Sequence, residues 1–71
     1  MLKQFKAIFE LTRREEDVLS YLITGKPNKG IAQSLSIAVR TVKTHITNIY
    51  KKLGVSNKIQ MVNLLKNFNL F

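Results

Sequence analysis

The sequence predicts an all-α domain of four helices, and three observations carry that prediction. Apolar residues recur at three- and four-residue spacings in four successive segments. Strand signals are weak throughout. Residues that start and stop helices fall between the segments: Thr12 with Glu15, then Gly25, Pro27, Gly54 and Asn57. At 71 residues, 45% of them apolar, the chain suits one small folded domain. It has no cysteine to staple it, so stability must come from tight helix packing, self-association or a partner.

The first helix opens at Thr12, whose hydroxyl can cap a backbone N–H while Glu15 reaches back from three residues on. Glu15, Glu16 and Asp17 suit the positive end of the helix dipole. Val18, Leu19, Leu22 and Ile23 form its apolar stripe, and Gly25 ends it. A short second helix begins at Pro27-Asn28, with Ile31, Ala32 and Leu35 on one face. Ser36-Ile37 makes a tight connection to a third helix running from about Val39 to Leu53. There Val42, Ile46, Ile49 and Leu53 recur at spacings of four, three and four. Gly54 closes it where a left-handed residue is expected. Asn57 or Ser56 caps a fourth helix bearing Met61, Val62, Leu64, Leu65 and Phe68. Residues 1–10 form an N-terminal arm or linker ahead of a domain at 11–71. Leu2, Phe5, Ile8 and Phe9 in that arm have helix-like spacing, which fits either a turn packed on the domain or a linker.

Charge narrows the function. Twelve Lys and Arg against four Asp and Glu give a net charge of +8. All four acids (Glu10, Glu15, Glu16, Asp17) lie in the first 17 residues, and the remaining 54 residues carry eight cations and no acid. Such a surface calls for a polyanion. The polyanion is either nucleic acid or an anionic membrane surface. No apolar run approaches the roughly 20 residues of a membrane span, and the two cations of the fourth helix make a weak case for a membrane-surface helix. The expected partner is therefore not a membrane, and the expected location is the cytoplasm, at the nucleoid if the polyanion is DNA. One histidine, no cysteine and clustered acids supply no nucleophile–base–orienter set and no multi-histidine metal site, so no enzyme, metal or cofactor is expected.

The third helix is the expected reading head. At about 100° per residue, Arg40, Thr44, Thr47 and Lys51 lie nearly opposite its apolar stripe, flanked by Lys43 and Asn48. An ordinary solvated helix face mixes Glu with Lys; this one has no acid. A helix fits the major groove of B-DNA, where Lys reads guanine acceptors and Thr offers a hydroxyl and a methyl. A short helix, a tight turn and a longer basic helix make the helix-turn-helix layout. His45 sits at the margin of the stripe, a structural position rather than a ligand. The rival readings are an RNA-binding module and a protein-interaction module using the broad apolar stripe of the fourth helix, on which Ile59 points away from Met61 and Leu65.

The order Leu11-Thr12-Arg13-Arg14-Glu15, Val18-Leu19, Gly25, Asn28-Lys29, Ile31-Ala32, Leu35, Thr41-Val42-Lys43, His45, Ile49 and Lys52-Leu53-Gly54-Val55 closely resembles the LuxR-type (GerE-type) helix-turn-helix domain over residues 11 to 66. The resemblance implies a bacterial transcription regulator that binds double-stranded DNA. By position it implies base contacts from Lys43, Thr44 and Thr47. Phosphate contacts are implied for Asn28, Lys29, Arg40, Thr41, Asn48, Lys51 and Lys52. It further implies a homodimer contact on the fourth helix, to which Ile59, Met61, Val62 and Leu65 are assigned, while Val62 and Leu65 also match core positions of that helix; RNA polymerase is a further expected partner. Three residues depart from the family pattern: Pro27 and Gly30 replace the capping box of the second helix, and Ala38 replaces the serine that caps the third. Each lost cap, and a glycine inside a helix, costs about 1 kcal/mol, so lower stability than the family norm is expected.

Overall fold

The computed structural model describes residues 7–68. A helical turn at residues 7–9 precedes four helices: α1 (Arg13–Ile23), α2 (Asn28–Leu35), α3 (Val39–Leu53) and α4 (Lys58–Asn67). No strand occurs among the described residues. The arm residues Leu2 and Phe5 lie outside them. Phe9 packs on the core, its ring edge-on to Phe68 with centroids 5.7 Å apart.

Local chemistry accounts for each boundary. Thr12 and Glu15 form the reciprocal capping box of α1: Glu15 N–H donates to Thr12 Oγ1 at 3.1 Å, and Thr12 N–H donates to Glu15 Oε1 at 2.9 Å. Asn57 caps α4, its Oδ1 accepting from Gln60 N–H at 2.9 Å. The other two starts have no side-chain cap. Pro27 holds the cap position of α2 in extended backbone, and Asn28 is the first helical residue. The fixed φ of Pro27 suits the extended cap, and proline has no side-chain acceptor to offer. Ala38 likewise holds the cap of α3 without a side-chain bond.

Three helix ends share one device. Gly25, Ser36 and Gly54 adopt positive φ (83°, 55° and 70°). The next N–H bonds back across the last turn: Lys26 to Tyr21 O at 3.2 Å, Ile37 to Ala32 O at 3.0 Å, and Val55 to Tyr50 O at 3.0 Å. At the α2–α3 corner the left-handed residue is a serine, which has a β-carbon to accommodate there.

The core draws on every helix: Leu11, Val18, Leu19 and Leu22; Ile31 and Ala32; Val42, Ile49 and Leu53; Met61 and Leu65. α3 packs against both α1 and α2, which presses its stripe inward and leaves its opposite face free. Met61 and Leu65, assigned above to a homodimer contact, are fully enclosed in this core. Their four-residue spacing puts both on the one line of α4 that faces the other helices. Of that set, Ile59 is 74% exposed and Val62 half-buried. No helix among the described residues is long and apolar enough to cross a membrane.

Candidate nucleic-acid interface

The corner at Ser36-Ile37 sets α2 and α3 as a helix-turn-helix pair. With Val42, Ile49 and Leu53 buried, the opposite side of α3 turns outward, and Arg40, Lys43, Thr44, Thr47 and Lys51 are all exposed. Thr41 and Asn48 are half-buried on its flanks. At the start of α2, Lys29 is exposed and Asn28 half-buried. The residues assigned to bases thus share one exposed strip with Arg40 and Lys51. None of the three cations Arg40, Lys43 and Lys51 forms an ion pair among the described residues; the two pairs found there are Arg14–Asp17 at 3.7 Å and Lys52–Glu15 at 2.6 Å. Their charge is available to an outside anion.

Both threonines on the strip bond back to their own helix. Thr44 Oγ1 donates to the Arg40 carbonyl at 3.1 Å and Thr47 Oγ1 to the Lys43 carbonyl at 3.0 Å. His45 is half-buried beside the stripe. Tyr50, the aromatic residue of α3, is half-buried as well, and burial raises its hydroxyl above the ordinary tyrosine pKa. The outward strip therefore carries cations and short polar side chains and no aromatic platform.

Lys52 differs from the other cations assigned to phosphate. Its Nζ donates to Glu15 Oε1 at 2.6 Å and to the Glu10 carbonyl at 3.1 Å, on the α1 side of the domain. Two of its three ammonium donors are thus spent within the domain, which ties Lys52 to α1 while leaving one donor for an outside anion. The Glu15 side chain is 5% exposed. Burial alone would raise its pKa, but the bonds from Lys52 and Thr12 outweigh that and hold it below the ordinary glutamate value. Sequence reasoning found the Thr12–Glu15 half of this cluster and missed Lys52, which stands 37 residues away. It also left Lys26 unassigned. That side chain lies along Gly30, donates to Ser34 Oγ at 2.8 Å and stands over the Tyr21 ring at 4.7 Å.

A short helix, a left-handed corner and a longer helix with an acid-free outer strip define the class: a helix-turn-helix domain. The profile described as "Bacterial regulatory proteins, luxR family" (GerE) matches residues 10–65, and the chain belongs to that family. Similar proteins include the uncharacterized transcriptional regulatory protein YhcZ of Bacillus subtilis, 45% identical over 62 residues, which are 87% of this chain and 29% of that protein. The transcriptional regulatory protein LiaR of Bacillus subtilis is 52% identical over 50 residues, 70% of this chain and 24% of LiaR. The CsgBAC operon transcriptional regulatory protein of Escherichia coli is 48% identical over 52 residues, 73% of this chain and 24% of that protein. The chain thus spans only 24–29% of the length of these relatives. No solved structure was found to match it.

Proposed function

We propose that the chain binds double-stranded DNA in a sequence-specific manner as the DNA-binding part of a transcription regulator, with α3 entering the major groove. One observation carries the reading: the strip of Arg40, Lys43, Thr44, Thr47 and Lys51 is exposed, free of acids and backed by a buried apolar stripe. Lys43, Thr44 and Thr47 face base edges. Arg40, Thr41, Asn48 and Lys51, with Asn28 and Lys29 at the start of α2, lie along the phosphates. The half-buried Tyr50 favours duplex over single-stranded RNA, whose readers stack bases on exposed aromatics. Kinship with proteins named as transcriptional regulators supports the regulatory role. Two copies, meeting through the exposed Ile59 and its neighbour Val62, would bind half-sites about 10 bp apart or a near multiple. RNA polymerase is the partner through which such a bound dimer would act.

Selection of fragments from random duplex DNA at two salt concentrations tests this. An enriched sequence whose affinity falls steeply with salt is the expected result. On that sequence, Lys51→Ala weakens specific and random DNA alike and flattens the salt dependence. Thr47→Ala chiefly relaxes preference at one base pair. Identical behaviour of the two variants on both kinds of DNA would refute this division of labour, and preferential binding of single-stranded RNA would refute the reading itself.

A further inference from the structure

We infer that Thr47 selects a thymine through its methyl group rather than through its hydroxyl; the inference rests on the duplex-DNA reading above. A threonine facing the major groove has three things to offer: a hydroxyl hydrogen, oxygen lone pairs and a γ-methyl. In this structure the hydrogen is already used, since Thr47 Oγ1 donates to the Lys43 carbonyl at 3.0 Å. With that bond in place the side chain cannot donate to guanine O6 or N7, nor to thymine O4. The residue is nonetheless exposed. Because Cβ is tetrahedral, turning the oxygen back along the helix leaves the methyl as the group on the open side. The major-groove feature that matches a methyl is the C5-methyl of thymine.

The placement makes this a specificity element rather than a general contact. Lys43 lies one helical turn before Thr47 and supplies the carbonyl that holds its hydroxyl, while its own ammonium forms no ion pair among the described residues. That ammonium is suited to guanine acceptors. One cation that prefers guanine and one methyl that prefers thymine, a turn apart on the same strip, read two different base pairs. Thr44 makes the same bond to the Arg40 carbonyl at 3.1 Å, so the geometry is a property of this helix face.

The probe is the tightest-binding duplex that this chain recovers from a random pool, resynthesised with each thymine in turn replaced by uracil, which removes only the C5-methyl. One thymine per half-site should then show an affinity loss of about fourfold, the equivalent of one buried methylene-sized group. That penalty should persist in Thr47→Val, which keeps the methyls, and vanish in Thr47→Ser, which keeps the hydroxyl. Lys51→Ala should lower affinity overall and leave the penalty intact. A uracil series with no penalty overturns the inference. So does a series in which Thr47→Ser relieves the penalty at no thymine, or a base preference lost in Thr47→Val and retained in Thr47→Ser, which would assign readout to the oxygen. Failure to enrich any duplex refutes the DNA-binding reading instead, and the two failures are distinct.

Discussion

Replacing Glu15 by glutamine should reveal how far one carboxylate holds the entry of α1 against the end of α3. Glutamine keeps an oxygen for the Thr12 N–H, so the capping bond at 2.9 Å can survive while the charge is lost. What goes is the attraction between opposite charges: the same oxygen accepts from Lys52 at 2.6 Å, and in glutamine that ion pair becomes a bond to a neutral amide on a side chain that is 5% exposed. Breaking a fully buried pair costs about 3–5 kcal/mol. Lys52 is 34% exposed and can re-hydrate, and its bond to the Glu10 carbonyl remains, so the lower range for a charged hydrogen bond applies, about 1.5 kcal/mol. In a domain of this size that is a drop in Tm of about 6–12 °C at neutral pH.

The pH dependence gives an independent check. The folded-state pKa of Glu15 lies below its ordinary value of 4.5. Its contribution is therefore fully present above that value and is lost as pH falls through the folded pKa. The gap between wild type and Glu15→Gln should close in acid. Urea denaturation of wild type, Glu15→Gln, Lys52→Met and the double variant completes a cycle whose coupling should be about 1 kcal/mol. Additive effects of the two substitutions, or a gap that is the same in acid as at neutral pH, would refute the bridge as a stabilising element.

Two further changes test the helix starts. Ala38 already has the extended backbone of a cap residue (φ −70°, ψ 150°) and makes no side-chain bond, so Ala38→Ser should add about 1 kcal/mol and raise Tm by about 4–8 °C. Its hydroxyl should also strengthen DNA binding, and an unchanged Tm and affinity would contradict the capping argument. Gly30→Ala should gain less than the roughly 1 kcal/mol that alanine holds over glycine in a helix, because the new β-carbon would lie 3.1 Å from Lys26 Cγ. Adding Lys26→Ala to Gly30→Ala should recover the helix-propensity gain but lose the bond to Ser34 and the contact with Tyr21. Denaturation of the single and double variants separates these, and a net loss in Gly30→Ala would mean that the Lys26 strap outweighs propensity.

The amino-acid sequence by itself determined the four helices, the capping box at Thr12, the stop at Gly54 and the outward strip of α3. Each is a local matter of periodicity or of a cap a few residues away, and a helix stripe facing a core leaves only one direction for its opposite side. The tertiary structure decided the rest. Met61 and Leu65 share their apolar character with Ile59, and only the packing of α4 on the other helices separates buried from exposed. Lys52 carries the same charge as Lys51 beside it, yet one is anchored to Glu15 across 37 residues of chain and the other is exposed with no ion pair among the described residues. Composition and spacing register what a side chain is; its partner depends on which distant segments the fold brings within a few ångströms.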